Sequence, residues 1–220
     1  MKLNKYIDHT ILKSTATRFD IEKLCNEAKK WDFASVCINP IHVSLAKEIL
    51  KDTDVKVCTV IGFPLGAVST NIKVAEAREA LEDGCDEFDM VINIAALKEG
   101  RCSDVKNDIL SVKNAIAGKT LKVIIETGLL SDQDKETATK IVCEAGADFV
   151  KTCTGFTEGK ATVEDVEILK LTSKTSEKTL VKASGGIRTY KDAKALIDAG
   201  ASRLGTSAGV QIMQEYLEQK

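Results

Sequence analysis

The segment ADFVKTCTGF (147–156) is followed by VEDVEILKLTSK (163–174) and then by TLVKASGG (179–186). The first and third segments are short apolar runs of the kind that form buried β-strands. In the middle segment apolar residues recur three and four positions apart, which is typical of an amphipathic helix. Because both strand segments are too apolar for a sheet with one solvated face, we expect parallel strands joined by a helix.

The same alternation runs along the whole chain. Eight apolar runs share the strand pattern, and they read YIDHTIL, SVCIN, KVCTVIGF, EFDMVINI, LKVIIET, DFVKTCT, TLVKASG and SRLGTS. Helices are predicted between and after them, over 20–31, 43–50, 72–82, 104–116, 132–145, 163–174, 190–199 and 207–218. Eight units leave about 28 residues each, which suits a compact barrel. The sequence therefore predicts a single (β/α)8 TIM barrel with parallel strands, as one domain over 1–220, with a doubly wound open sheet as the alternative.

Short polar residues and glycines indicate where the helices begin and end. Ser and Thr side chains cap helix starts, and glycine ends helices because it adopts a left-handed conformation without strain. The predicted starts follow Ser69, Ser103, Ser131 and Thr162, and the predicted ends lie near Gly84, Gly118, Gly146 and Gly200.

Charge and hydropathy exclude several classes of partner. The chain has 31 basic and 33 acidic residues, for a formal net charge of −2, so it lacks the basic field that attracts nucleic acid or anionic lipid. No apolar run approaches the roughly 18 residues that a membrane span needs, and the N-terminus MKLNKYIDHT lacks the apolar core of a secretory signal. We expect a cytoplasmic protein that binds a small molecule and forms a homo-oligomer, a dimer or tetramer.

Neither a metal nor a nucleotide cofactor is expected. The seven cysteines are scattered without a CxxC pair, so a structural zinc site is not predicted, and most read as small buried hydrophobes. His9 and His42 are interpreted as structural. The chain has no GxxxxGK[ST] motif and no GxGxxG after a strand, so ATP and dinucleotide cofactors have no support.

Two lysines occupy matched positions in consecutive predicted strands. Period-two alternation turns Lys151 in DFVKTCT and Lys182 in LVKASG toward the barrel interior. At about 4.5 Å and an effective dielectric near 20, two ammonium groups repel each other by about 3.7 kcal/mol. We expect one of them to lose its proton near neutral pH, attack a carbonyl and form a Schiff base, which is the chemistry of an aldolase without a metal. The alternative is that both lysines extend to solvent as surface charges.

Other polar residues in the predicted strands face the same interior. Asp89 in EFDMVIN is placed to move protons between carbinolamine and imine, with a plain ion pair as the alternative. Asp8 in YIDHTIL and Cys37 in SVCIN repeat the pattern, and Cys37 is interpreted as a pocket wall because no histidine has an evident reason to lie beside it. For Glu126, an interior role and a structural role both stay open.

Small-residue loops follow the last two predicted strands, at SGGIR (184–188) and GTSAG (205–209). Glycine loops and helix starts present backbone N–H groups to anions, and barrels often bind phosphate after strands 7 and 8. We predict a phosphate site there, with Arg188 nearby and Gly155 as a further amide. The alternative is that these turns simply need glycine.

Eight segments carry a resemblance to a known family. They are IDHTILK (7–13), VCINP (36–40), CTVIGFPLG (58–66), EFDMVINI (87–94), KVIIETGLL (122–130), ADFVKTCTGF (147–156), VKASGGIRT (181–189) and GASRLGTSAGV (200–210). In combination they resemble the deoxyribose-phosphate aldolase family of class I, Schiff-base aldolases over nearly the full chain. The resemblance implies a (β/α)8 barrel that reversibly cleaves 2-deoxy-D-ribose 5-phosphate into D-glyceraldehyde 3-phosphate and acetaldehyde, with no cofactor.

The resemblance also implies residue roles. Lys151 would form the Schiff base, Lys182 would be the neighbour that favours its neutral form, and Asp89 would relay protons with Lys182 and a water molecule. Further residues would lie in the pocket or around the phosphate, namely Asp8, Cys37, Gly155, Gly185, Gly186, Arg188, Gly205 and Ser207.

Three positions depart from the pattern of some family members. Phe156 stands where some members have a lysine, so the phosphate would rely more on amides, hydroxyls and Arg188. The chain ends in EYLEQK instead of a tyrosine, and Tyr216 is expected to stay on the final helix. Cys153 stands where a serine is common.

Two other functions remain open. One is a different phosphate-binding barrel enzyme, an isomerase or another aldolase, which would not release acetaldehyde. The other is a barrel that senses a sugar phosphate without catalysis, which would bind it without forming an imine.

Overall fold

Eight parallel strands close into a barrel in the computed structural model, which describes residues 2–157, 159–174, 176 and 178–219. In chain order they are β1 (Ile7–Ile11), β2 (Ser35–Ile38), β3 (Lys56–Ile61), β4 (Glu87–Val91), β5 (Thr120–Ile124), β6 (Phe149–Lys151), β7 (Leu180–Ser184) and β8 (Arg203–Thr206). Every strand pairs in parallel with the next, and β8 pairs in parallel with β1. The closed order confirms the predicted (β/α)8 barrel and excludes the open sheet.

Helices connect the strands and surround the barrel. They are α1 (Arg18–Trp31), α2 (Val43–Leu50), α3 (Thr70–Glu82), α4 (Ile94–Lys98), α5 (Cys102–Ala115), α6 (Asp132–Glu144), α7 (Val163–Ser173), α8 (Tyr190–Asp198) and α9 (Gly209–Glu218). Short 3-10 turns lie at Leu3–Tyr6, Pro40–His42 and Thr127–Leu129. Helix α4 is not predicted from the sequence, since five residues are too few to show a helical period. In the described part of the chain no helix is long and apolar enough to cross a membrane, and the single domain over 1–220 stays a prediction.

The helix boundaries agree with the predicted caps at most positions. Ser131 and Thr162 accept hydrogen bonds from the first-turn backbone of α6 and α7, whereas Ser69 precedes α3 without such a bond. The prediction for Ser103 is wrong: the chain turns tightly at Gly100, where φ is 72°, so α5 already begins at Cys102. The four predicted terminal glycines all have positive φ, as expected for helix ends (Gly84, Gly118, Gly146 and Gly200).

The barrel interior is charged, whereas the apolar core lies between strands and helices. On β4, Phe88 and Met90 belong to this core, and Asp89 between them is buried on the opposite face, inside the barrel. Strands β6 and β7 are in register at Lys151 and Lys182, so both side chains project into the interior from neighbouring positions. Alternation along the strands therefore determines which residues form the site.

Candidate active site

Asp89, on β4, lies at the centre of the buried charges and contacts three lysines. Its Oδ2 accepts hydrogen bonds from Lys151 Nζ and from Lys182 Nζ, each at 2.7 Å. Its Oδ1 accepts one from Lys122 Nζ on β5 at 2.8 Å. Since both predicted lysines bind the same oxygen atom, their nitrogens are separated by at most twice that 2.7 Å distance. The structure thus brings Lys151, Lys182 and Asp89 into direct contact.

Below Asp89, toward the N-terminal ends of the strands, the charges form a closed ring in which cations and carboxylates alternate. In order, the members of this charge ring are Arg203, Asp8, Lys182, Asp89, Lys122 and Glu87, which contacts Arg203 again. Asp8 joins Arg203 at 2.6 Å to Lys182 at 2.5 Å. Glu87 joins Arg203 at 3.0 Å to Lys122 at 2.7 Å. With all six members ionised, the ring has no net charge.

Electrostatic contacts within the ring outweigh the cost of burial. Burial disfavours the carboxylate of Asp89, but the three surrounding lysines hold its pKa well below the usual range. For Asp8, burial acts in the same way and is outweighed by Arg203 and Lys182, so its pKa is lowered too. Burial disfavours the Lys182 ammonium, yet Asp8 and Asp89 raise the pKa of Lys182 above its ordinary value. The carboxylates of Asp8 and Asp89 and the ammonium of Lys182 are therefore ionised at neutral pH.

Lys151 occupies a position between the ring and an open cavity. It contacts one carboxylate, Asp89, among the described residues, whereas Lys182 contacts two. Its side chain also lines a cavity of about 410 Å³ at the carboxyl ends of the strands. A molecule in this cavity can therefore reach the nitrogen of Lys151, while Lys182 and Asp89 lie beneath it.

All six residues predicted to surround the phosphate line the same cavity. They are Gly155, Gly185, Gly186, Arg188, Gly205 and Ser207. Asp8 and Cys37 were expected in the pocket, but they do not line it and are 0% and 1% exposed. The side chain of Asp8 instead accepts from Ser35 and Arg203 within the barrel, and Cys37 packs in a small apolar cluster with Leu12, Cys58 and Val60.

The glycines of the cavity serve two structural purposes. Gly155, Gly185 and Gly186 have φ values of 80°, 103° and 77°, a region that favours glycine. Gly205 provides space, because a Cβ atom there would lie 2.8 Å from Ser184 Cβ and 3.2 Å from Lys182 Cε. A side chain at position 205 would therefore clash with Ser184 and crowd Lys182.

The two helix starts beside the cavity differ in how their amides are satisfied. At α8, Thr189 accepts from Asp192 N, and the Asp192 carboxylate accepts from Arg188 N and Thr189 N. The backbone N–H groups at the start of α8 therefore already donate within this capping box, contrary to the expectation that this helix start would bind an anion. At α9 the N-cap residue is Ala208, which supplies no side-chain acceptor.

Sequence reasoning missed four residues of this region. Glu87 and Lys122 are ring members that lie on the same strand faces as predicted interior residues, so period-two alternation was a usable signal for both. Arg203 begins β8 and had no such signal within its short strand. Lys13 lines the cavity from the segment after β1, and no local pattern marks it.

Glu126 belongs to a structural contact beside the cavity. Its carboxylate accepts hydrogen bonds from Thr154 N at 3.2 Å and from Thr154 Oγ1 at 2.5 Å. Thr154 itself lines the cavity, so Glu126 supports the cavity wall from outside. His9 likewise contacts Glu27 at 2.8 Å and the ring of Phe33, as expected of a structural residue.

Phe156 and Tyr216 each pack against another aromatic ring. Phe156 lines the cavity and packs edge-on against Phe63, with ring centroids 5.2 Å apart. Tyr216 lies on α9 and packs against Tyr190 at 5.2 Å. Tyr216 therefore stays on the final helix, as expected.

Among the described residues, one set of side chains has the spacing of a metal site. The sulfur atoms of Cys37 and Cys58 and a carboxylate oxygen of Asp89 lie within 4.8 Å of one another. Asp89 already accepts from three ammonium groups, which repel a metal cation at this position. The chemistry of the site therefore favours a lysine-based reaction over a metal-based one.

A closed parallel barrel whose cavity leads to a buried lysine and carboxylate defines a (β/α)8-barrel enzyme with a lysine centre. The chain belongs to the DeoC/LacD family of aldolases, whose family model matches residues 2–215. It is 58% identical over 217 residues to the deoxyribose-phosphate aldolase of Carboxydothermus hydrogenoformans, covering 97% of this chain and 94% of the relative.

Two further comparisons extend this relationship. The deoxyribose-phosphate aldolase of Finegoldia magna is 54% identical over 214 residues, which cover 97% of this chain and all of the relative. The solved structure described as a unique tetrameric deoxyribose phosphate aldolase from Aeropyrum pernix superimposes with a TM-score of 0.91 at 33% identity. That match covers 99% of this chain and 92% of the other.

Proposed function

We propose that this chain is a class I aldolase that reversibly cleaves 2-deoxy-D-ribose 5-phosphate into D-glyceraldehyde 3-phosphate and acetaldehyde through a Schiff base on Lys151. The observation that carries the proposal is the position of Lys151, which contacts the charge ring through Asp89 and faces the cavity. Relatives at 54–58% identity that are named deoxyribose-phosphate aldolase support the substrate.

The reaction begins at the nitrogen of Lys151. In its neutral form, Lys151 Nζ attacks C1 of the open-chain sugar and gives a carbinolamine. Asp89 and Lys182 then help to transfer a proton to the C1 hydroxyl group, which leaves as water and produces an iminium ion. The 2.7 Å contacts of both lysines with Asp89 Oδ2 support this shared proton path.

Cleavage follows from the positive charge of the iminium. The C3 hydroxyl loses its proton, the C2–C3 bond breaks, and its electron pair moves toward the iminium nitrogen. D-Glyceraldehyde 3-phosphate leaves, and an enamine remains on Lys151. Protonation of the enamine at C2 and hydrolysis of the resulting imine release acetaldehyde and regenerate the lysine.

The phosphate binds at the glycine loops of the cavity in this proposal. Arg188 and Lys13 both line the cavity, and neither forms an ion pair with a described residue. Both cations line the same cavity as Gly185 and Gly186, and two positive charges there favour binding of a dianion. Lys13 therefore supplies a positive charge in a site where Phe156 provides none.

Location and assembly complete the proposal. We keep the predicted cytoplasm as the compartment in this proposal, and cell fractionation tests it. We keep a dimer or tetramer as the assembly, and the relative from Aeropyrum pernix, whose structure is described as tetrameric, supports self-association. Sedimentation of the purified chain measures the assembly directly.

Trapping with borohydride tests the proposed reaction. Reduction in the presence of 2-deoxy-D-ribose 5-phosphate should leave a stable adduct on Lys151, found by peptide mass spectrometry, and untreated enzyme should release acetaldehyde. Lys73 is an internal control, because it is fully buried and paired with Asp108 outside the ring, so it should stay unmodified. An active enzyme with unmodified Lys151 contradicts the mechanism.

The same experiment separates the alternatives. A sugar-phosphate sensor binds its ligand but gives no adduct, since binding needs no nucleophile. A different barrel enzyme, such as an isomerase, turns over its substrate without releasing acetaldehyde. Adduct formation together with acetaldehyde release is expected only for the proposed aldolase.

A further inference from the structure

We propose that Glu87 and Arg203 are positioning residues that control the protonation of Lys151 through the net charge of the ring. Both lie at the N-terminal starts of their strands, β4 and β8, and neither lines the cavity. They cannot touch a substrate there, so their effect has to pass through the ring. This inference rests on the proposed function, since it assigns Lys151 the role of nucleophile.

The buried charges nearly balance one another. The ring contains three carboxylates and three cations, Lys151 being an additional cation that contacts Asp89 from the cavity side. When Lys151 is protonated the buried cluster carries one excess positive charge, and when Lys151 is neutral the cluster has none. A net charge on a buried cluster is costly, so the charge of the ring bears directly on the Lys151 ammonium, which contacts Asp89.

The three lysines around Asp89 differ in how many carboxylates they contact. Lys182 contacts two carboxylates, and Lys122 has three within 3.9 Å. The pKa of Lys122 is accordingly raised well above its usual value, because its carboxylate neighbours outweigh the effect of burial. Lys151 has a single carboxylate neighbour, and it shares that oxygen with Lys182. Lys151 is therefore the cation that the cluster stabilises least.

Glu87 and Arg203 are linked to Asp89 through other members of the ring. Arg203 contacts Asp8, which contacts Lys182, while Glu87 contacts Lys122. Lys182 and Lys122 are the two ring neighbours of Asp89. Arg203 keeps 16% of its side chain exposed whereas the other members are buried, so salt screens these interactions less than those between surface charges. Removal of one charge from the pair therefore changes the electrostatic potential at Lys151.

Other titratable groups face the cluster from β2 and β3. Burial raises the pKa of Cys58 well above that of a free thiol, so Cys58 stays neutral. The pKa of Cys37 is lowered, mainly because the Cys58 thiol hydrogen-bonds to it. Neither group belongs to the ring, and the variants described below leave both in place, so any shift between variants comes from the altered charges.

The test measures the pH dependence of imine trapping with acetaldehyde and cyanoborohydride. Glu87→Gln leaves the ring with an excess positive charge, so Lys151 should lose its proton more readily. The acid limb, which is the low-pH side of the trapping rate plotted against pH, should then move to lower pH. Arg203→Gln leaves an excess negative charge, so the acid limb should move to higher pH. Each shift should be roughly one pH unit, as expected for a charge about 10 Å away at an effective dielectric near 20.

Two further variants separate charge from structure. The double variant Glu87→Gln with Arg203→Gln restores a neutral ring, so its acid limb should coincide with that of the parent protein. Arg203→Lys retains the charge but loses the guanidinium geometry, so it should also show the parental limb. A shift in Arg203→Lys as large as in Arg203→Gln contradicts control by charge, as do single variants that shift in the same direction.

Folding failures are also informative. If both single variants fail to fold while the double variant folds with the parental limb, the result supports the requirement for a neutral ring. If the double variant also fails to fold, the pair is structural and the proposal is overturned. The proposed function is tested separately, because absence of an adduct on parental Lys151 contradicts that function, whereas an adduct with unshifted variants contradicts only this inference.

Discussion

Lys13 and Arg188 differ from the cations inside the barrel in having no carboxylate partner among the described residues. Both are exposed side chains at the cavity, where a hydrated positive charge is accessible to an anion. Lys182, by contrast, is fully buried between two carboxylates. A lysine ammonium is therefore accessible to an anion at position 13 and balances buried carboxylates at position 182, according to its surroundings.

Lys13→Ala should raise the KM for 2-deoxy-D-ribose 5-phosphate about tenfold, which corresponds to about 1.4 kcal/mol for one charge-assisted contact. Its kcat should change little, because Lys13 lies apart from the ring. The KM for 2-deoxy-D-ribose, which lacks the phosphate, should stay unchanged. Steady-state kinetics with both sugars measure the difference.

Lys30→Ala is the matched control, since Lys30 is an exposed lysine on α1 that does not line the cavity. It should leave both KM values unaltered. An equal rise in KM for the two sugars in Lys13→Ala argues against a phosphate contact.

The segments that follow β5 and β6 are held together by contacts between their backbones and by one buried carboxylate. Glu126, with φ of 57°, directs its carboxylate to Thr154 of the cavity wall. Close by, a Cβ atom at Gly128 would lie 2.7 Å from the Cα of Gly159, so glycine is needed for this approach. Strand β6 itself has only three residues. The residues that follow it in the cavity wall are therefore supported by the segment after β5.

Glu126→Gln should lower the free energy of unfolding by about 1 kcal/mol, because the Thr154 N–H and O–H groups, which both reach Oε2, exchange a charged acceptor for a neutral amide oxygen. The KM for the phosphorylated sugar should rise, since Gly155 follows Thr154 in the cavity wall. Urea unfolding and steady-state kinetics measure the two effects.

Glu164→Gln is the control for this variant, because Glu164 is exposed on the first turn of α7. Its unfolding free energy should change by less than about 0.5 kcal/mol. Parental stability and KM in Glu126→Gln would remove the proposed supporting role.

The molecule as a whole places its most polar cluster where a barrel ordinarily has packed apolar layers. Every strand except β2, β3 and β6 contributes at least one ring member, so the charges link strands that are distant in sequence. Such a cluster is stable only when complete, because removal of one partner leaves an unpaired buried charge. The stability of the barrel and the chemistry of its lysine therefore depend on the same contacts.

Asp8→Asn should lower the free energy of unfolding at neutral pH by about 3–5 kcal/mol, since Arg203 and Lys182 lose a shared carboxylate. The control is Asp198→Asn, which removes an exposed pair with Lys194 and should cost less than about 0.5 kcal/mol. Urea unfolding measures both variants, and equal effects would contradict the importance of the ring.

Acid should destabilise the parental protein more than Asp8→Asn. The pKa values of Asp8 and Asp89 are lower in the folded chain than the value of about 3.9 in an unfolded chain. The folded state therefore binds fewer protons, so this contribution is present above about pH 4 and is lost as the pH falls further. The difference in unfolding free energy between the parental protein and Asp8→Asn should therefore shrink as the pH falls below this value. A difference that does not change with pH contradicts the lowered pKa of Asp8.

Local patterns in the chain were enough for the barrel and for the core of the site. Alternating apolar runs and helical stretches predict eight parallel units because each unit carries its own hydrophobic period. Period-two alternation likewise turns Lys151, Lys182 and Asp89 inward, since each side chain's direction depends only on its position along its own strand.

Closure of the barrel determined the rest, because it sets how far each strand is staggered against its neighbours. Stagger places Asp8 beneath the cavity floor and brings Arg203 and Glu87 together from strands 116 positions apart. Lys13 reaches the cavity only because β1 and β8 become neighbours on closure. Such contacts follow from the three-dimensional arrangement of all eight strands, and no single segment of the chain contains them.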